Sequence, residues 1–574
     1  MGGIKLSKPL LLKSAVGVIS SVLVLVSGSV AIGASFDPDR LDRPLGHVSV
    51  QVVEPGTIFN FSKLSSHSGE RGLDGNILEI DCASLQDSKC DLSNQALNIY
   101  GRMILPMCES AGQNNCVEKF VLFKDGKEFK ADFAKAADGG RKFAPDSRTN
   151  FIGGGSPLIF NVPGLAHDGG TDQYSVAVAA GISYNRQLKS FETNDLVASV
   201  VPTSIERGAM FRTDRMGSGA NNACAYIEEG VCGVREDFPS DVSIQVSVRL
   251  PNSVGGWFMG RLQDPEVTIS KFSTQNNLLT IKANPVTVSR FAIPREPSSL
   301  TEEEKNLIRA SWGSYGGLSR GVLADDPSAF KALAYFRAEA EDKAAGSNTL
   351  WSFRTIRAGQ GSPCLSDTSK LQGIVTTNST VYSGLAPSFE SGSLNYQVAG
   401  LHYMQDGKSL SLGSYDLVMN SDTARCLYGF TKAPISAKIQ VVGTGDQNVA
   451  TTVVSEKDGW LKLAAYGFTF SEKEIKVTLG QKFMKTISRF AGLSKTLTSM
   501  QKSEIRTAVL NSQGSSKLTC TGFFFSASSK AIALARAKAV CNYAKSLGKN
   551  RTFVAAAQQA IDKIDGGKLV ISGE

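Results

Sequence analysis

Ten cysteines fall into five neighbouring pairs, and that spacing constrains this 574-residue chain more than any other feature. Cys82 and Cys90, Cys108 and Cys116, and Cys224 and Cys232 each stand eight residues apart; Cys364 and Cys426 are more widely separated, and Cys520 and Cys541 close the series. No C-x-x-C occurs. An even count behind an export leader reads as structural disulfides formed in an oxidising compartment. On the chain-entropy model, a nine-residue ring restricts the unfolded chain by about 2.6 kcal/mol and the Cys364–Cys426 ring by about 4.3 kcal/mol. The rival reading, a thiolate metal site, needs further ligands, yet the four histidines (His47, His67, His167 and His402) stand at no ligand spacing. No metal and no cofactor are therefore expected.

The leader comprises Lys5, Lys8 and Lys13 followed by an uncharged apolar stretch from Ala15 to Ala34. Ala31-Ile32-Gly33-Ala34 before Ser35 suits cleavage after Ala34, giving a signal peptide over 1–34. The stretch is also long enough to span a bilayer, so an uncleaved anchor is the alternative. Both readings put the body of the chain outside the cytoplasm.

Net charge is unevenly distributed. Residues 471–574 hold 17 Lys and Arg against 6 Asp and Glu, whereas the rest of the chain after the leader holds 41 against 47. A basic end on a weakly acidic body points to an anionic polymer outside the cell, and to no nucleic acid. A merely solvated, solubilising face is the plainer account of the same charges.

With 56 glycines and frequent Val, Ile, Thr and Ser, the composition favours strands and turns. The expected fold is mainly β and multidomain. Over 35–292 short alternating runs such as Val48–Val53, Tyr174–Ala179 and Val242–Val248 indicate one or two β-sandwich-like units. Pro294 and Pro297 then introduce a helical spacer over 293–350, in which Thr301 to Glu304 has the form of a capping box and Pro327 opens a second helix. Strand patterns resume over 351–480 at intervals of about a dozen residues, the rhythm of an antiparallel sandwich of immunoglobulin size. Cys364 and Cys426 are spaced to join its two sheets, with Trp460 as core tryptophan. Residues 481–574 form a separate α+β end.

Within that end, Leu497-Thr498 with Gln501 and Ile505, then Leu518-Thr519-Cys520-Thr521-Gly522, then Arg536-Ala537, Val540, Tyr543 and Gly548 follow one another in a distinctive order. This segment resembles the OmpA-like peptidoglycan-binding family, in divergent versions of which, on actinobacterial surface proteins, cysteines stand in the strand and helix as Cys520 and Cys541 do. The resemblance implies a βαβ-type fold and makes Arg536 the residue that would hold a carboxylate of the wall peptide. The aspartate that completes the family's clamp is missing, replaced by Phe523, Phe524 and Phe525. Read without the family, the helix is amphipathic, with Ile532, Ala535, Ala539, Tyr543 and Leu547 available to pack.

Motifs for catalysis are sparse. Gly317-Leu318-Ser319-Arg320-Gly321 has the letters of a nucleophile elbow without the preceding buried strand, Gly443-Thr444-Gly445 lacks the remainder of a nucleotide loop, and the acids Asp37, Asp39 and Asp42 could bind calcium weakly but are expected to be solvated near the mature start. The expectation is an exported, noncatalytic cell-envelope or surface protein whose β-domains serve adhesion, ligand capture or envelope structure, with a cell-wall polymer as partner and contact with membrane only through an uncleaved leader. The alternative is a secreted polysaccharide-active hydrolase docked by the same end, with paired carboxylates that carry no sequence spacing.

Overall fold

The computed structural model describes residues 48–573 apart from 55–59, 73–76, 216–223, 296–298, 313–319, 358–361, 366–369, 391–392, 429–434, 444–450, 471–472, 482, 513–516, 549–550 and 561–565. The leader, Asp37, Asp39, Asp42, Ser319, Thr444 and Gly445 lie outside the described residues.

Strand Gly256–Arg261 explains the architecture. All six of its residues are buried, which an alternating side-chain pattern allows only if both faces of the sheet are covered. Phe258 belongs to one hydrophobic core, whereas Trp257 and Met259 belong to a second. The strand lies antiparallel to Gly346–Ile356 and parallel to Leu371–Thr377. From there the sheet extends through Leu412–Asn420 and Trp460–Thr469 on one side and through Ser190–Arg207 and Gln173–Asn185 on the other. The same division recurs at its neighbours: Ile374 and Val418 enter the first core, Val375 and Leu417 the second.

The first core is closed by a five-stranded sheet in the order Gln263–Lys271, Asn276–Asn284, Val242–Pro251, Cys116–Lys124, Lys127–Lys130, which supplies Phe120, Ile244, Val246 and Ile281. The second is closed by a sheet containing Ser393–Ala399, Lys473–Gln481 and Ile435–Gly443, which supplies Tyr396, Val398, Ile475 and Val477. The two sandwiches thus share a middle layer. Its tryptophans satisfy their N–H groups internally: Trp257 Nε1 donates to Leu365 O at 3.2 Å and Trp351 Nε1 to Ala283 O at 3.0 Å. Trp460 is only partly buried at the border of the first core, so the core tryptophans of this body are Trp257 and Trp351.

These pairings cross the positions at which the sequence suggests boundaries. Gly256–Arg261, from the region before 292, is hydrogen-bonded on both sides to strands that begin after 345. The segment 293–350 is also no free spacer. Strand Val48–Val53 lies between Ala292–Arg295 and Arg320–Leu323. Helix Pro327–Phe336, capped by Asp326 with Pro327 in its first turn, buries Ala329, Ala332, Leu333 and Phe336 against Val50, Phe291, Val381 and Leu401. The capping box before helix Glu302–Trp312 is present: Thr301 N donates to Glu304 Oε2 at 2.7 Å and Glu304 N to Thr301 Oγ1 at 3.2 Å.

All five cysteine pairs are disulfides, Cys82–Cys90, Cys108–Cys116, Cys224–Cys232, Cys364–Cys426 and Cys520–Cys541, with Cα–Cα separations from 5.0 to 5.9 Å. Cys364–Cys426 joins a short helical turn, Pro363–Leu365, to helix Ser421–Tyr428 rather than one sheet to another. Asp422 N donates to Asn420 Oδ1 at 2.9 Å at the start of that helix, and Cys426 lies within it.

Candidate functional site: the basic C-terminal module

Four strands and two helices make up the C-terminal end. The sheet order is Phe483–Ile487, Leu569–Gly573, Lys517–Phe524, Thr552–Gln559, with the last two parallel and the remaining pairings antiparallel. A parallel pair needs a crossover, and helix Lys530–Leu547 supplies it. Helix Ser499–Asn511 starts from a capping box in which Gln501 N donates to Thr498 Oγ1 at 3.2 Å and Thr498 N to Gln501 Oε1 at 2.9 Å. Ile487, Ile505, Leu518, Ala537, Val540 and Ile571 form its core.

Helix and strand approach closely at one glycine. A Cβ on Gly522 would lie 2.3 Å from Ala533 O, so the strand admits no side chain there. Cys520–Cys541 ties the same strand to the same helix. Gly522→Val should therefore destabilise the module by about 1–3 kcal/mol through overpacking, measured as a lowered unfolding midpoint of the C-terminal transition. An unchanged midpoint would show that the helix can move away at no cost.

The buried stripe of helix Lys530–Leu547 is Ala533, Arg536, Ala537, Val540, Cys541 and Ala544. It is rotated from the face that Ile532, Ala535, Ala539 and Leu547 define, and Leu547 is exposed. Arg536 is 8 % exposed. Its Nε donates to Ser494 O at 2.9 Å, its Nη2 donates to Gly492 O, and its guanidinium lies 5.2 Å from the centre of the Phe490 ring. Burial lowers its pKa from the ordinary arginine value. The residue expected to hold a wall-peptide carboxylate thus has two of its nitrogens engaged by backbone carbonyls of the loop before helix Ser499–Asn511. Phe523 and Phe524 are half-buried and Phe525 is 48 % exposed.

Lys485, Arg489, Lys495, Lys502, Lys538 and Lys545 are exposed. Among the described residues from 483 to 573 the only acid is Glu504, which accepts from Ser488 N at 2.8 Å and from Ser488 Oγ at 2.5 Å. The module's single described carboxylate is thus held by Ser488 at the base of a loop.

Two carboxylate clusters without any sequence signature lie in the β body. Glu54 Oε2 accepts from Arg261 Nε at 2.9 Å and Nη2 at 2.5 Å, and Glu54 Oε1 accepts from Tyr382 Oη at 2.9 Å; beside them Arg354 Nη2 donates to Asp325 Oδ2 at 2.5 Å. Burial is the largest influence on the Arg261 charge and opposes it, but Glu54 together with Tyr382 and Tyr396 raises its pKa overall, while burial pushes the Tyr382 hydroxyl well up. In the second cluster, Asp416 is fully buried and accepts from Tyr466 Oη at 2.5 Å, Thr376 Oγ1 at 3.3 Å and Asp264 N at 3.3 Å. Burial raises its carboxyl to about 6 against the hydrogen bond from Tyr466. Asp264 sits on a bulge between Gln263 and Glu266 with φ of 57° and accepts from Lys462 Nζ.

No protein-family model, no characterised protein and no solved structure matches this chain.

Proposed function

We propose that this is an exported, noncatalytic envelope protein: a three-layer, disulfide-stapled β body held at the cell surface by a basic C-terminal module that grips a polyanionic wall polymer. The observation that carries this reading is the module's excess of positive charge, with lysines exposed on both helices and its only described acid engaged by Ser488. The strand order and the helix-bridged parallel pair are in keeping with an OmpA-like module. The engagement of Arg536 by Gly492 O and Ser494 O favours general electrostatic docking over a specific clamp on a wall-peptide carboxylate. Five disulfides support an oxidising, extracytoplasmic compartment. No helix among the described residues is long and apolar enough to cross a membrane.

The hydrolase reading draws on Asp416, a carboxyl titrating near neutrality beside a second acid. Its side chain is enclosed between sheets and donates or accepts only within the protein, which weighs against contact with a glycan.

Sedimentation of residues 35–574 with purified insoluble wall tests docking directly. Retention should be strong at low salt and fall to background near about 1 M, where the Debye length shrinks to about 3 Å. The double substitution Lys538→Glu, Lys545→Glu should lower retention several-fold at low salt. Retention indifferent to both changes would discard the electrostatic reading.

A further inference from the structure

The segment between strand Phe483–Ile487 and helix Ser499–Asn511 is a loop closed at its base. Gln501 Nε2 donates to Ser488 O at 2.8 Å while Gln501 Oε1 accepts from Thr498 N at 2.9 Å, so one side chain clips the two ends together. Ser488 N is further held by Glu504. A loop of this length with its ends joined is an Ω-loop, compact and fixed rather than slack. Phe490 enters the core and Gly492, at φ of 46°, turns the chain through the left-handed region. Arg536 then takes the carbonyls of Gly492 and Ser494, the residues on either side of Leu493, with one guanidinium.

That clamp decides where Leu493 goes. With both neighbouring carbonyls drawn inward, the side chain between them is pushed out, and at 83 % it is the most exposed large apolar side chain among the described residues. Met500, in the first turn of the following helix, is 63 % exposed. Around them the sequence is one-sided: from 475 to 503 there are six Lys and Arg and no Asp or Glu. Arg489 and Lys495 flank the tip directly and are exposed.

We propose that this loop is a membrane-surface anchor in which Leu493 enters the headgroup–acyl boundary of an anionic lipid bilayer while Arg489 and Lys495 meet the phosphates. Charge complementarity selects an anionic surface, and the apolar tip selects a bilayer over a polymer. A polyanion rewards the lysines but offers nothing to a leucine held in water, whereas a lipid interface rewards both. Arg536 acts here as a positioning residue. The inference goes beyond wall docking, because it assigns a second, lipid contact to the same module through a different feature.

The test uses residues 35–574, which contain every described residue and lack the apolar leader. Co-sedimentation is compared on vesicles containing phosphatidylglycerol, on phosphatidylcholine alone, and on insoluble wall. Binding is expected on the anionic vesicles, weakened about tenfold by Leu493→Ser, the effect of withdrawing one leucine side chain from an apolar boundary. Because Leu493 is exposed, the thermal midpoint of this variant should equal that of the parent. In Leu493→Trp, the indole emission should shift to the blue when anionic vesicles are added. Equal vesicle binding by parent and Leu493→Ser, equal binding to neutral and anionic vesicles, or capture by wall with none by vesicles would each overturn the anchor. The last result would leave the wall reading standing, and loss of wall capture with vesicle binding intact would do the reverse.

Discussion

Replacing Glu54 by Ala should destabilise the body by about 3–5 kcal/mol, the usual effect of removing one member of a buried ion pair. Arg261 is 1 % exposed, and besides Glu54 it donates to the carbonyls of Thr377 and Ser379. Without Glu54 its charge remains in the interior with hydrogen bonds but no counter-charge. Tyr382 also loses its acceptor. The double substitution Glu54→Gln, Arg261→Met should recover most of that stability, since glutamine still accepts from Tyr382 and no charge is left behind. Denaturant midpoints for Glu54→Gln, Arg261→Met and their double, with disulfides intact, give the coupling directly. Additive losses would mean that water reaches Arg261. The position of the pair explains its expected size: Glu54 follows strand Val48–Val53, Arg261 ends a middle-layer strand and Tyr382 lies in the sheet covering the second core. One carboxylate thus pins three sheets.

Local structure was legible in the sequence wherever apolar and polar residues alternate along a strand. Val48–Val53 and Val242–Pro251 do so and are strands, and the caps at Thr301 and Asp326 follow from residue type alone. The disulfide pairing was equally legible, because eight-residue spacing suits a closed loop tip. The middle layer was not. Gly256–Arg261 is buried on both faces and carries no alternation, and its partners come from about ninety and about a hundred and ten residues further along, so periodicity cannot reveal that two sandwiches share it. Helix Lys530–Leu547 shows a related limit: with so many alanines, its buried face is chosen by what fits against Gly522, and the larger Ile532 and Leu547 are poor guides. Arg536 was marked by its motif, but its acceptors, two backbone carbonyls some forty residues earlier, leave no trace in composition. Asp416 has no motif at all.

Asp416 should make the body less stable at neutral pH than at mildly acid pH, the reverse of what a salt-bridged carboxylate does. Burial raises its folded carboxyl from the ordinary 3.8 to about 6, so between those values the folded state holds a proton that the unfolded state has released. Stability from this group is fully present below the unfolded value and is lost as pH rises through the folded one; two pH units correspond to about 3 kcal/mol. The groups facing it fix the direction. Burial is the largest influence and Asp264 adds to it, while the Tyr466 hydroxyl, Lys462 and the Asp264 N–H act against it. Asp416→Asn reproduces the neutral acid: its carbonyl can accept from Asp264 N while its amide donates to Tyr466 Oη. That variant should exceed the parent by only about 1 kcal/mol near pH 4.5 and by about 3 kcal/mol near pH 8. Tyr466→Phe removes a donor to the carboxylate and should steepen the parent's decline with pH. Urea midpoints of the three proteins at both pH values decide the matter. Parallel profiles for parent and Asp416→Asn would place the carboxylate in contact with water and return it to the ordinary range. A divergence that grows toward neutral pH would show that ionising Asp416 weakens the seam at which the Asp264 N–H of the outer sheet donates to the middle layer.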